Sequence, residues 1–542
     1  ANTTGTLNTA VGTYALDTNT TADRNTAMGY AAMDNNTTGT QNVAMGAFAL
    51  DANTTANLNT SVGHSALGLN TTGNANTAVG GNALDANTTA NNNTAVGYDS
   101  LGVNTTGANN VAVGTSALDA NTTASYITGV GFQALSANTT GTANAAFGAD
   151  ALLANTTGAN NVAVGNNALT ANTTASNNTA VGKNSLVANT TGTRNTAVGA
   201  VSLDANTTGQ LNTAVGYNSL TTNTTGVQNT GIGDNALEAN TTGDSNVALG
   251  YVALAGNTTA DNNTAIGVSA LQANTTGTQN VSVGTFALDA NTTANNNVAV
   301  GYSALGANTT GASNVAMGTT ALQAVTTGSN NTGLGTAAGE AITTGVRHII
   351  IGDESAASLV TGNDCIAIGH GSELSATNAA SQIAMGTDVT CVGNGNFTFG
   401  SGTSDSNIAN GATSISAPSD IRLKEDIQDE EVGLAFIKDL RPVTFLWKKE
   451  KDCPSHMKVY KEGSEERVMN GKYNHGFIAQ EVKEVINNHN LKEGFDMWAE
   501  DEADGRQRIG EAALMSVMVK AVQELSTTVD ELKQELKTLK GE

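Results

Sequence analysis

The chain has 542 residues and a formal net charge of -24, too long for one ordinary globular core and too acidic for sequence-independent binding to nucleic acid or to an anionic membrane surface. Residues 1–418 hold only 4 Lys or Arg against 21 Asp or Glu, whereas the 124 residues that follow hold 19 against 26, so two physically different segments are joined. Cys365, Cys391 and Cys453 show no ligand spacing, which points to structural thiols and to neither a metal nor a cofactor.

From the first residue the chain is repetitive. Glycine recurs every 17 residues from Gly12 to Gly386, 23 positions without insertion or deletion, in the consensus NTAVGxxALxANTTGxx. The opening ANTTG matches residues 307–311, which reads as a start inside a longer repeat array and predicts an upstream virion-attachment or anchor segment. A second column places Asn at 2, 19, 36 and onward to Asn308, then Val325, Ile342 and Leu359. A fixed period of this kind predicts one rung stacked on the next. Seventeen residues leave no room for a helical hairpin, and Thr, Asn, Val and Gly are poor helix formers.

Each repeat reads instead as two short strands, TAV and ALxA, separated by turns. The expected fold class is therefore mainly β, a β-solenoid or β-roll shaft over 1–386. At ~4.8 Å per rung it would be ~110 Å long. Its Ala, Val and Leu can fill only a thin core, and repeated Ala predicts close side-by-side packing of several copies, as in a trimer. The Asn column predicts amide ladders along the rod.

The positions after each rung glycine, among them Tyr30, Phe48, His64, Phe132, Lys183 and Tyr217, are predicted to decorate the surface without clustering. The rungs present no paired carboxylates for glycan cleavage. Regular Thr raises ice binding as a remote alternative, disfavoured because the Thr-Thr pairs fall at turns. The repeats resemble the left-handed β-roll heads of trimeric autotransporter adhesins, whose NxxAxG rungs are similar but shorter.

From 387 to 418 the period is lost and Gly, Ser and Asn dominate, as in a transition or linker; NFTFG at 396–400 is a candidate last rung. No run is apolar enough to span a membrane. Charged residues then arrive together. Four motifs follow in order: SDIRLKEDI at 419–427, LRPVTFLWK at 440–448, HGFIAQEV at 475–482 and ALMSVMVKAVQEL at 513–525.

This set over 419–542 resembles the intramolecular chaperone auto-processing domain at the C-termini of phage endosialidases, tail spikes and tail fibres. The resemblance implies a small α+β domain that assembles a trimer and then cuts itself off with a Ser-Lys dyad. On this chain it implies Ser419 as nucleophile, Lys424 as base and Pro418–Ser419 as the cleavage site. A serine hydroxyl needs a base, and a lysine serves only when neutral. Five residues apart, the two side chains meet only across a bend or between chains. Taken alone, such a pair is usually a capping serine and a solvated lysine.

Met515, Met518, Val522, Leu525, Val529, Leu532, Leu536 and Leu539 alternate in steps of 3 and 4, a heptad seam over about 514–540. Val at a with Leu at d leans to dimers, whereas the resemblance implies a homotrimer. The sequence reading is thus a phage tail fibre or tail-spike shaft on the virion, meeting a host-surface receptor such as a glycan. Self-cleavage is its only implied chemistry. The alternative is a bacterial cell-surface adhesin carrying the same assembly domain.

Overall fold

Asn, Thr and Gly recur at fixed places through most of the rungs because each satisfies a backbone demand that the stacking creates. The computed structural model describes residues 2–402, 404–412, 415–416, 419, 421–491, 495–500 and 505–541. The chain divides into two units, 1–418 and 419–542. The first contains a single 25-stranded sheet. Its strands run from Thr9–Val11 to Ile383–Thr387 once per rung, in parallel register such as Thr77↔Thr94, Ala78↔Ala95 and Val79↔Val96. Asn396–Ser401 then adds in parallel at a shorter offset, Ile383↔Phe397, and Ser404–Ala409 folds back antiparallel to it. NFTFG is therefore a last, irregular rung.

Each rung carries one strand, not the two expected. The ALxA run is a turn because alternate residues have left-handed backbones: Asn82 at φ 57° and Leu84 at φ 52°. Such a leucine backbone costs about 1–2 kcal/mol. Complete burial of the Leu84 side chain contributes about 1.5–3 kcal/mol in the other direction. The turn's amides are also not orphaned, since Asn82 N–H donates to His64 O at 2.9 Å and Leu84 N–H to Ser100 O at 3.0 Å. Alternate residues thus bond to the rungs on either side, which replaces strand pairing, while Ala83 N–H between them donates to Gly80 O of its own rung.

The Ala columns, Ala78 and Ala83 for example, are fully buried inside one chain. They line the solenoid's own core with Leu84 and its equivalents, so their small size serves the thin interior and not, as expected, contact between copies. Rung glycine is required for the same reason of closeness. Gly80 has φ +137°, and a Cβ there would lie 2.4 Å from Gly97 O.

The amide ladder is present: Asn36 Nδ2 donates to Asn19 Oδ1 at 3.0 Å, and Asn155 Nδ2 to Asn138 Oδ1 at 2.8 Å. It ends where the sequence turns apolar. Asn308 Oδ1 is buried without a hydrogen-bond partner, because Val325 stands where the next donor would be. A second buried Asn column ties strand to turn, as when Asn93 N–H donates to Asn76 Oδ1 at 2.9 Å and Asn93 Nδ2 to Gly107 O at 2.9 Å. In the last rungs His348, Cys365 and Gln382 take over this column, and Cys365 and Cys391 are buried free thiols.

Tyr30, Phe48 and His64 do cluster, against expectation. Tyr14, Tyr30, Phe48 and His64 form an edge-to-face ladder with centroids 5.7, 5.3 and 5.9 Å apart. No helix among the described residues is long and apolar enough to cross a membrane.

The second unit is small and mixed. It contains α1 (Leu434–Asp439), β1 (Val443–Phe445) paired antiparallel with β2 (Asn474–Gly476), α2 (Ala479–Asn488), β3 (Trp498–Glu500) paired antiparallel with β4 (Gln507–Ile509), and α3 (Leu514–Lys540). Phe436, Leu440, Val482, Met497, Leu514 and Val517 form its core.

Candidate functional site

Ser419 and Lys424 meet within one chain. A 3-10 turn over Ile421–Leu423, closed by Lys424 N–H to Ile421 O at 3.2 Å, supplies the bend that a five-residue separation requires. Lys424 Nζ donates to Ser419 Oγ at 2.7 Å. Pro418, the acyl side of the expected cleavage site, lies outside the described residues, as does Asp420.

Both members of the pair are exposed in the single chain. A protonated amine that donates to a hydroxyl cannot also accept its proton, so this geometry becomes nucleophilic only when the lysine is desolvated and neutral. Ile421 and Ile427 stand uncovered beside the pair in sequence, at 74% and 64% exposure.

The motifs of the C-terminal unit converge on one scaffold. β1 comes from LRPVTFLWK and pairs with β2, which overlaps HGFIAQEV, in the register Val443↔Gly476 and Thr444↔His475. Arg441 Nε donates to Glu481 Oε2 at 3.0 Å, joining the same two motifs. Leu514 and Val517 from the last motif pack with Phe436 and Val482. A groove lined by Pro442, Val443, His475, Phe477, Met515 and Met518 opens where the three meet.

Several charged groups are held by partners. Lys449 and Lys451 flank Glu465 and lower its carboxyl to about 2. Lys461, with Ser464, lowers Glu450. Glu465 and Lys461 are exposed, so solvent screens these pairs strongly, although the Glu450 side chain itself is largely covered.

One contact was invisible to local sequence reasoning. Gly433 precedes α1 and offers no capping side chain, but Glu524 on α3 accepts from Leu434 N–H at 2.7 Å, across 90 residues. A carboxylate at a helix N-terminus satisfies one of its unpaired donors. The aromatic ladder was hidden for another reason. Tyr14 and Phe48 stand two residues after their rung glycines, Tyr30 and His64 one, so a strict 17-residue register splits the ladder into two columns.

The heptad seam of α3 is open. Leu514, Val517 and Ala521 face the unit's core, whereas Met518, Val522, Leu525, Leu532 and Leu539 are exposed.

Residues 419–491 match the family described as chaperone of endosialidase. The match begins at Ser419 and takes in the first three motifs; the fourth, with α3, lies beyond it. No curated protein and no solved structure matches the chain.

Proposed function

We propose that the chain is a tail-fibre-like structural protein, the shaft of a trimeric host-attachment fibre whose C-terminal unit aligns three copies and then cuts itself free; a region matching the chaperone of endosialidase after a β-solenoid of 17-residue repeats supports this reading. The observation that carries this reading is the 2.7 Å contact between Lys424 Nζ and Ser419 Oγ at the first residue of the matched region. The open seam of α3 supports self-association, since eight apolar positions at heptad spacing are stable in water only when a partner helix covers them.

In the proposed step, neutral Lys424 takes the Ser419 hydroxyl proton as Oγ attacks the Pro418 carbonyl carbon. The Pro418–Ser419 C–N bond breaks, an ester forms between the Pro418 acyl group and Oγ, and the proton passes to the freed Ser419 amine. Water then hydrolyses the ester, which regenerates the hydroxyl and leaves a Pro418 carboxylate. Assembly of the trimer would supply the burial that a neutral lysine needs. Identical rungs can anneal out of step at little cost, so alignment from one end fixes their register. Cleavage after folding makes the assembly kinetically irreversible.

Mass analysis of the freshly expressed chain, beside Ser419→Ala and Lys424→Ala, tests the chemistry. A C-terminal fragment beginning at Ser419 in the wild type alone is the expected result. A wild type that stays whole once assembled overturns the cleavage step and leaves a permanent assembly cap.

A further inference from the structure

We infer that the outward face of the rung strands is the surface on which copies of this chain pack, parallel and rung against rung. This deepens the proposed trimer and rests on the reading that the C-terminal unit aligns the chains. The middle residue of each strand points inward, and the residues on either side of it point out. The repeats act as an internal alignment of these outward positions. At the third strand position all 23 residues from Val11 to Met385 are Val, Met, Leu, Ile or Phe. At the first, from Thr9 to Ile383, all but Ala145 are β-branched.

These side chains face solvent in the single chain: Val11 is 55% exposed, Leu249 44% and Met317 43%. The neighbouring surface position after each rung glycine is as open yet varies freely, holding Tyr217, Asp234, Lys183 and Asn166. Exposure alone therefore does not select apolar residues. The strand face excludes every charge through 23 rungs.

The stripe is ~110 Å long at ~4.8 Å per rung and roughly 10 Å wide, on the order of 1,000 Å². The largest apolar patch on a typical monomer is about 300–600 Å², and a stable interface takes about 800 Å² from each partner. An occupant must repeat at the rung spacing along this whole length. A second copy of the same chain meets that condition by construction.

The test uses the full chain with Cys453→Ser, since the other two thiols are buried. Val198→Cys, on the stripe, and Tyr217→Cys, an exposed residue of the next rung off it, are treated with a short bis-maleimide and run on a denaturing gel, beside sedimentation of the parent. Efficient linkage of Val198→Cys chains, with little at Tyr217→Cys, is expected. An oligomeric parent whose Val198→Cys chains do not link overturns the inference while the assembly reading stands. A monomeric parent overturns both. Val198→Cys is a small change at a half-exposed site, so circular dichroism matching the parent separates loss of packing from loss of fold.

Discussion

The solenoid and the C-terminal unit solve the same problem, a stable chain without a large core, in opposite ways. The solenoid segment is sparsely charged and almost wholly acidic, with 4 Lys or Arg and 21 Asp or Glu over residues 1–418, and its order comes from hydrogen bonds repeated along the rungs: amide ladders, Thr hydroxyls such as Thr71 Oγ1 to Thr88 O at 3.0 Å, and turn amides bonded to neighbouring rungs. The C-terminal unit has a six-residue core of larger side chains and surface ion pairs. Their tolerances should differ accordingly. In a one-dimensional stack each rung depends on its neighbours, so a local fault propagates, whereas the mixed unit, with a core of its own, absorbs surface faults.

The sharpest contrast is in oligomeric state. Leu525→Asp together with Leu532→Asp should convert the assembled protein to single chains by sedimentation, since two charges would enter the seam of α3, while helix content by circular dichroism is retained. Equal charges on the same helix off the seam, Gln523→Asp with Gln534→Asp, should leave assembly intact.

Glycine separates the regions next. Gly80→Ala puts a Cβ 2.4 Å from Gly97 O at φ +137°, and should cost at least about 3 kcal/mol in thermal or denaturant unfolding. Gly463→Ala, at φ +72° with nothing within 4 Å of the new Cβ, should cost only about 1 kcal/mol. Equal losses would mean that rung contact does not set the glycine column.

A ladder step is smaller. Asn155→Val removes the bond to Asn138 Oδ1 at 2.8 Å and the bond to Gly158 O at 3.0 Å, and leaves a buried acceptor orphaned, at about 1–3 kcal/mol. Limited proteolysis should then cut near that rung first.

The smallest effect is conditional on pH. His348 is buried in the Asn column, with Nε2 2.8 Å from Gly362 O and Nδ1 accepting from Cys365 N–H at 3.3 Å. Burial lowers its pKa, while the Gly362 carbonyl and nearby Asp364 pull it back up and Arg347 pushes it down. The unfolded chain therefore takes up the proton first as pH falls. Stability from this residue is present above about pH 6.5 and is lost progressively below it. Wild type should lose melting temperature between pH 7 and 5 relative to His348→Asn, and parallel curves would remove the effect.

Much of the solenoid was legible because its signal is periodic. The Gly and Asn columns name the rung and the ladder directly, and even the ladder's end at Asn308 follows from Val325 one period on. The second strand was misread because ALxA has strand-like composition; only the φ values of residues such as Asn82 and Leu84 turn it into a turn. The Ala columns were placed between copies because size alone does not say which way a side chain points. At the candidate site, the resemblance carried by the four motifs implied Ser419 and Lys424, which residue types and spacing alone do not single out, and the turn at Ile421–Leu423 that joins them is set by backbone geometry.

By itself the sequence determined the period, the stacking of rung on rung and the division between a sparsely charged, acidic repeat and a C-terminal unit rich in charges of both signs, because each is a property of residue order and composition. Tertiary structure alone decided which columns face inward, that Glu524 caps α1 from 90 residues away, that alternating offsets bring Tyr14, Tyr30, Phe48 and His64 together, and that an apolar strand face is left open to solvent. These depend on side-chain direction and on contacts between distant segments, which a linear pattern leaves degenerate until the backbone is laid out in space.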